Sequence, residues 1–245
     1  MVGSRRGSAL LRGKETMEIE ENIRAIRQRI DQAALAAGRR PEEITLCAAT
    51  KMNDAAAVRR AIAAGVDCCG ENRVQELTRK LSEGAYRGAP VHFIGRLQTN
   101  KVRQVVGKVN LIQSVDRENL LEALEKEAAR QQIQQRILLQ VNIGREETKA
   151  GFDVCQIPQV LEKMGQFPHL LVKGLMAIPP AAREERRNFE FFQEMCNLSV
   201  DIRRKKYDNV EVEILSMGMS EDFADAIACG STMIRIGTAI FGQRR

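Results

Sequence analysis

Eight short apolar runs, each followed by a segment with helical character, limit the possible folds of this chain more than any other feature. The runs predict strands over 44–50, 66–69, 91–94, 110–115, 136–143, 170–177, 210–215 and 232–236. Most of the intervening segments place apolar residues at helical spacing or end at a glycine. Eight strands that alternate with helices in about 250 residues are typical of one closed parallel barrel. The sequence therefore predicts an α/β fold, a single (β/α)8 TIM barrel over 16–245.

An open, doubly wound sheet is the alternative arrangement. It would usually have fewer repeats at this length and a glycine-rich phosphate turn after its first strand. Here the run 44–50 is followed by Lys51-Met52-Asn53-Asp54 instead. The segment 1–15 is rich in Gly, Ser and Arg. We expect it to be a disordered tail or an upstream extension, with Met17 as an alternative first residue.

Composition and charge disfavour several classes of partner. The net charge is +6, and residues 1–15 carry four basic residues against one acidic residue. No dense basic stripe remains beyond them and Trp is absent, so we expect no nucleic-acid partner. No apolar run approaches the ~20 residues of a membrane helix. Six cysteines without a Cys-x-x-Cys pair predict reduced thiols in a cytoplasmic protein, and two distant His predict no metal site.

Lys51 is the strongest candidate for a chemical role. It follows the apolar run 44–50, so we expect it at the carboxyl end of the first strand, the face on which barrel sites are built. A lysine is costly to bury unless its amine is used, and desolvated lysine amines form Schiff bases with carbonyl compounds. The alternative is an ordinary solvated or ion-paired lysine.

Two loops of small residues follow the last two predicted strands, where barrels often bind phosphate. Hydroxyl and backbone N–H groups there can donate to a phosphate, and glycines let it approach closely. The residues concerned are Ser216, Gly218, Gly237 and Thr238. They are alternatively turn residues, with Ser220 as a helix cap. A lysine that takes an aldehyde, together with a distant phosphate cradle, suggests pyridoxal 5′-phosphate.

Arg235 ends the eighth predicted strand, and it points either into the barrel mouth or toward a helix-facing ion pair. Arginine stays protonated and only donates hydrogen bonds. If it meets the ring nitrogen of pyridoxal phosphate, that nitrogen stays unprotonated and the ring is a weak electron sink. Enzymes that need a strong sink pair the nitrogen with a carboxylate instead.

These segments also form a pattern that resembles the pyridoxal phosphate homeostasis protein family. The matching stretches are 48–51 (AATK), 70–76 (GENRVQE), 92–101 (HFIGRLQTNK), 174–179 (GLMAIP), 215–220 (LSMGMS) and 230–242 (GSTMIRIGTAIFG). Several long motifs in the same order over 17–243 make the resemblance specific. Thr50 stands where many members have Ser, and Met52-Asn53-Asp54 replaces a more usual turn.

The resemblance implies a barrel like the N-terminal domain of alanine racemase, in the fold-type III group. The residues that it assigns to the cofactor are Lys51 as the Schiff-base lysine, Asn72 and Met219 along the ring, Arg235 at the ring nitrogen, and Ser216, Gly237 and Thr238 at the phosphate. The implied role is intracellular vitamin B6 and amino-acid homeostasis without an established reaction. We also expect a monomer, with apo-enzymes as recipients of the cofactor.

Two enzymatic alternatives remain open, a weak amino-acid racemase and a Schiff-base aldolase that acts on a sugar phosphate. A two-base racemase needs an acid/base on each face of the ring. In alanine racemase one of these is a tyrosine from a second domain of the partner subunit. This sequence ends just after its eighth strand, and Tyr86 and Tyr207 fall in or near helical or N-terminal-face segments. We therefore expect a binding protein rather than an enzyme.

Overall fold

Eight parallel strands close into a barrel in chain order. This computed structural model describes the backbone of residues 5–146, 148–180 and 187–242, and the side chains of these except 5–17 and 187. The strands are β1 Thr45–Ala49, β2 Cys68–Glu71, β3 Val91–Phe93, β4 Leu111–Val115, β5 Gln135–Val141, β6 Leu170–Ala177, β7 Val210–Ser216 and β8 Met233–Ile236. The prediction of a (β/α)8 TIM barrel is confirmed.

Helices pack around the outside of the barrel, and the first of them precedes β1. They are α1 Arg5–Ala36, α2 Ala55–Ala63, α3 Val74–Ser82, α4 Glu118–Gln131, α5 Ile157–Glu162, α6 Arg187–Arg203, α7 Phe223–Ala228 and α8 Thr238–Phe241. Within the part of the chain that the structure describes, no helix combines the length and the apolar character needed to cross a membrane.

The segment after β3 is a shorter and tighter helix than the sequence indicates. A helix was expected over 99–107, and the structure has a 3-10 helix over Thr99–Gln104. The segment is short and contains Thr99, Asn100 and Val102, which are weak helix formers. A tighter 3-10 turn is the usual form of such short connections.

The N-terminal helix begins earlier than predicted. A helix was expected from Glu18 to Ala37, and α1 runs from Arg5 to Ala36. Residues 5–15, expected to be a disordered tail or extension, are therefore helical, which fits their content of Ala, Leu, Arg and Lys. Residues 1–4 lie outside the described part of the chain. The domain boundary near residue 16 stays a prediction.

Helix α1 fills the outer layer of helices between the last β/α unit and the first. It contacts α2 on one side and α7 and α8 on the other. The predicted apolar face is buried, with Ile23 and Ile30 each 1% exposed. Each isoleucine buried in this way contributes about 1.5–3 kcal/mol. Asn22 Nδ2 also donates to the Ile240 carbonyl oxygen at 3.0 Å.

Strand β1 separates two cores. Leu46 and Ala48 belong to the large apolar core between strands and helices, whereas Cys47 belongs to a smaller cluster with Cys68 and Met233. Successive strand residues face opposite sides of a sheet, so the smaller cluster lies inside the barrel. Cys47 is also in register with Arg235 of β8. The barrel interior is therefore polar and charged near the carboxyl ends of its strands.

Candidate functional site

Lys51 lies in the turn directly after β1, at the carboxyl end of the barrel, and is half-buried. Met52, the next residue, has a φ of 64°, which is unusual for a residue other than glycine. Hydrogen bonds from or to two side chains help to hold the turn. Met52 N donates to Glu76 Oε2 at 2.7 Å, and Asn53 Nδ2 donates to the Lys51 carbonyl oxygen at 3.0 Å. The backbone at Lys51 is thus fixed from both sides.

A buried ion pair supports the residue before Lys51. Lys80 Nζ lies 2.6 Å from Glu71 Oε1, and both side chains are fully buried. The same amine donates to the Thr50 carbonyl oxygen at 2.7 Å, and Thr50 Oγ1 donates to Glu71 Oε1 at 2.5 Å. Buried charges are tolerated only when they are paired and hydrogen-bonded. This pair therefore joins the end of β1 to β2 and α3.

Sequence reasoning missed Lys80, although a signal was present. Lys80 continues the buried face of α3 that begins with Val74 and Leu77. A lysine on an apolar helix face must either reach solvent or find a buried partner. Glu71, nine residues earlier, is that partner.

The loops after β7 and β8 meet at the carboxyl end of the barrel. Arg235 N donates to the Gly218 carbonyl oxygen at 3.0 Å. Gly218 has a φ of 94°, and a Cβ there would lie 2.6 Å from the Ala226 Cβ, so only glycine fits. Gly237 precedes α8, whose first residue is the exposed Thr238. The two loops that carry the predicted cradle residues are therefore joined, and their role in phosphate binding stays a prediction.

Met219 lies in the loop after β7, at the same end of the barrel, and it donates a hydrogen bond from its backbone. Its side chain is 38% exposed, and its backbone N–H donates to Asp222 Oδ1 at 2.6 Å. Asp222, rather than the alternative Ser220, precedes the first residue of α7. The predicted role of Met219 at the ring of a cofactor stays a prediction.

Arg235 points into the barrel mouth, so the alternative of a helix-facing ion pair is wrong. Its Nη1 donates to Ser216 Oγ at 2.6 Å and its Nη2 to the Ala177 carbonyl oxygen at 2.9 Å. The residue is 5% exposed, and burial lowers the pKa of its guanidinium to about 10. Among the described residues no carboxylate pairs with it. The hydrogen bonds that its guanidinium donates to side-chain and backbone oxygens thus go to neutral acceptors.

Ser216 connects Arg235 to a residue that sequence reasoning missed. The Ser216 hydroxyl accepts from Arg235 and donates its single proton to Gln113 Oε1 at 2.7 Å. No sequence pattern singles out Gln113, because its partners come from distant strands. Ser216 thus orients Arg235. Its predicted phosphate contact stays a prediction that would require this proton to turn away from Gln113.

Asn72 offers an unsatisfied acceptor in the loop after β2. Its side-chain Oδ1 is buried and has no hydrogen-bond partner among the described residues. Its backbone packs tightly against the loop after β3, since a Cβ on Gly95 would lie 2.0 Å from the Asn72 carbonyl oxygen. Buried polar atoms normally have a partner, so an orphaned one at a mouth indicates a place for a ligand donor.

Comparison with known proteins places this barrel in a class. Residues 16–245 match the family model described as alanine racemase, N-terminal domain. The pyridoxal phosphate homeostasis protein of Aquifex aeolicus is 39% identical over 225 residues, which cover 92% of this chain and 98% of that protein. The protein of the same name from Escherichia coli K12 is 38% identical over 230 residues, which cover 93% and 97%.

A solved structure shows the same fold. The structure of PipY from Synechococcus elongatus PCC7942, with PLP bound, superposes with a TM-score of 0.79 at 31% identity. The match covers 91% of this chain and all of that one. This chain belongs to the pyridoxal phosphate homeostasis protein family, as the sequence motifs indicated.

Proposed function

We propose that this protein binds pyridoxal 5′-phosphate covalently through Lys51 and serves intracellular cofactor and amino-acid homeostasis without catalysing a reaction. One observation carries the proposal. The turn at Lys51 is rigidly held at the same barrel end as Arg235, a buried cation with only neutral acceptors. The names of the relatives and the PLP-bound PipY structure support it.

The residues at the mouth fit the chemical groups of this cofactor. Lys51 would hold the aldehyde carbon, and backbone N–H groups of Gly237 and Thr238 would hold the phosphate, with Ser216 beside them. Asn72 Oδ1, the orphaned acceptor, would receive a hydrogen bond from a polar group on the ring. Met219 would cover the ring. These assignments follow the resemblance, and the geometry is compatible with them.

Arg235 is the reason to expect binding without catalysis. When bound, pyridoxal phosphate supplies an electrophilic aldehyde and a ring that accepts electrons. The pKa of Arg235, about 10, keeps its guanidinium charged at neutral pH. A charged guanidinium has N–H donors and no acceptor, and its high pKa keeps its proton in place. It therefore donates a hydrogen bond to the ring nitrogen without protonating it. The ring then withdraws electrons weakly.

Borohydride reduction followed by mass spectrometry tests the proposal. The purified protein is incubated with pyridoxal phosphate, reduced and digested. We expect one modified peptide with the mass of the reduced cofactor, and the modified residue is Lys51. Modification of another lysine, or of none after cofactor has been added, would show that Lys51 is not the attachment site.

A weak amino-acid racemase is the second candidate, favoured by the match of residues 16–245 to the alanine racemase N-terminal domain. We expect no interconversion of alanine enantiomers above the rate of free cofactor, because a two-base racemase needs an acid/base on each face of the ring. Tyr86 and Tyr207 lie in the segments before β3 and β7, at the opposite end of the barrel from Lys51. Chiral chromatography of D- and L-alanine after incubation with loaded protein measures this. Steady, protein-dependent turnover of either enantiomer would establish the racemase.

The proposal also covers the surroundings in which the protein works. We place it in the cytoplasm as a monomer that passes pyridoxal phosphate to apo-enzymes. Mixing loaded protein with a cofactor-free pyridoxal phosphate enzyme, then following recovery of that enzyme's activity, tests the transfer. A rate no faster than that with free cofactor at the same concentration would argue against direct transfer.

A further inference from the structure

A cluster of two cysteines and one histidine lies inside the barrel. Cys47 of β1 and Cys68 of β2 are in register, and both are buried. Their sulfur atoms and a ring nitrogen of His92 all lie within 4.8 Å of one another. No sequence pattern indicates this cluster, because His92 lies on β3 and approaches the cysteines only when β3 pairs with β2.

The two sulfur atoms lie within 4.8 Å of each other on adjacent strands, a spacing that a disulfide can bridge. Neighbouring strands lie about 4.8 Å apart, which is within the Cα separation of about 4.4–6.8 Å that disulfides span. A Cβ on Gly70 of β2 would lie 3.1 Å from Cys47 Sγ, so this sulfur lies against β2. Both cysteines are free thiols in this structure.

A directional chain of hydrogen bonds determines the tautomer of His92. Arg235 can only donate, so the Ser216 proton goes to Gln113 Oε1. The Gln113 amide is thereby oriented, and its Nε2 donates to His92 Nδ1 at 2.9 Å. A neutral imidazole that accepts at Nδ1 carries its proton on Nε2. A protonated nitrogen can donate to a thiolate, whereas a metal ligand must present a lone pair.

The charges around Cys47 favour its thiolate. The Cys68 thiol, then His92 and Arg235, lower the pKa of Cys47 to about 5, against the opposing effect of burial. The same interaction with Cys47, together with burial, raises the pKa of Cys68. Cys47 also supplies an anion beside Arg235, whose buried cation has no carboxylate partner among the described residues. The interaction between the two sulfur atoms thus favours a thiolate on Cys47 and a thiol on Cys68.

We propose that Cys47 and Cys68 are an oxidation site that a small hydroperoxide converts to a disulfide between β1 and β2. The Cys47 thiolate attacks the peroxide, the O–O bond breaks, and a sulfenic acid forms as hydroxide leaves and takes up a proton. Cys68 then attacks that sulfur, the S–O bond breaks, and its thiol proton leaves with the oxygen as water. Two thiols and one hydrogen peroxide thus yield one disulfide and two waters.

Peptide mapping with a neighbouring cysteine as control tests the site. The full-length protein is treated with one equivalent of hydrogen peroxide. It is then denatured in the presence of an alkylating reagent, which blocks the remaining thiols, and digested with trypsin. We expect a peptide linked through Cys47 and Cys68. Because Cys68 and Cys69 share one tryptic peptide, the linkage should vanish in Cys68→Ala and persist in Cys69→Ala. Cys69 faces the outer core, and burial raises its pKa to about 12.

The pH dependence of the reaction tests the role of His92. Linkage in the wild type should proceed at nearly the same rate at pH 6 and pH 7, whereas an ordinary thiol slows about tenfold per pH unit below its pKa. His92→Leu should show a steeper fall in rate between pH 7 and pH 6 than the wild type, because it removes one of the groups that lower the pKa of Cys47. Gln113→Met provides a second variant that leaves the imidazole in place. Circular dichroism confirms that each variant is folded.

Three outcomes would overturn the proposal. The first is a wild-type protein whose cysteines all remain alkylatable after peroxide. The second is loss of the linked peptide in Cys69→Ala as well as in Cys68→Ala. The third is stoichiometric zinc in the purified protein that His92→Leu releases, which would make the cluster a metal site. None of these outcomes depends on Lys51, so they are distinguishable from failure of the proposed function.

Discussion

Replacing Lys51 with alanine is expected to abolish covalent attachment of pyridoxal phosphate completely. The half-buried amine follows β1 at the barrel mouth, and we expect no other lysine to replace it. The purified wild type should be yellow after incubation with the cofactor and gel filtration, and Lys51→Ala should be colourless. Absorbance spectra and intact-protein mass after borohydride reduction measure the loss.

Lys101→Ala is the matched control for this experiment. Lys101 is also half-buried and lies in the 3-10 helix after β3, at the same end of the barrel. We expect it to retain the colour and the mass of the reduced adduct. Lys51→Ala should keep the hydrogen bond from Asn53 Nδ2 to the carbonyl oxygen of residue 51, because that bond involves the backbone. A yellow Lys51→Ala protein with an adduct would refute the assignment.

Breaking the Glu71–Lys80 pair is expected to cause the largest loss of stability. Lys80→Met leaves the Glu71 carboxylate fully buried without its cation and removes a donor from the Thr50 carbonyl oxygen. Removing one partner of a buried ion pair typically costs about 3–5 kcal/mol. Folded proteins have only about 5–15 kcal/mol of total stability, so the effect should be conspicuous. Urea denaturation followed by circular dichroism measures it.

Two further variants distinguish loss of the Glu71–Lys80 pair from general effects of substitution on the free energy of unfolding. Arg79 is the neighbour of Lys80 on α3, and its pair with Glu83 is exposed, with a separation of 3.8 Å. Arg79→Met should change the free energy of unfolding by less than about 1 kcal/mol. The double variant Glu71→Gln/Lys80→Met should be more stable than Lys80→Met, since it removes the buried Glu71 charge that Lys80→Met leaves unpaired. Glu76, which lies 3.4 Å from Lys80 Nζ, loses the same partner in both variants. A Lys80→Met protein as stable as the wild type would show that the pair contributes little.

The sequence predicted the strands well, and it predicted the form and extent of some helical segments between and before them less well. All eight strands and the apolar face of α1 follow from spacing, because burial of one face imposes a period on the chain. A helix was expected over 99–107, but its form could not be predicted, since a short run of weak helix formers leaves the choice between α and 3-10 geometry to its neighbours. Helix α1 also reaches back to Arg5, and the assignment of 1–15 as a tail or upstream extension stays a prediction.

The residues of the candidate site likewise divide into those that the sequence predicted and those that only the structure revealed. Lys51 and the glycine loops could be placed because barrel topology brings the ends of all strands to one face. Gln113 could not, because its contacts with Ser216 and His92 span 103 and 21 residues of sequence. Side-chain hydrogen bonds of this kind leave no periodic trace. The alternative orientations of Arg235 also stayed open until its partners were known.

The sequence by itself determined the barrel, the family and the position of Lys51, because periodic burial and contiguous motifs are local properties of a chain. Only the tertiary structure decided what surrounds that lysine. It showed that Lys80 supports Thr50 from inside the core, that Ser216 orients Arg235, and that Cys47 and Cys68 meet. These contacts depend on strand register and side-chain direction, which arise when the barrel closes.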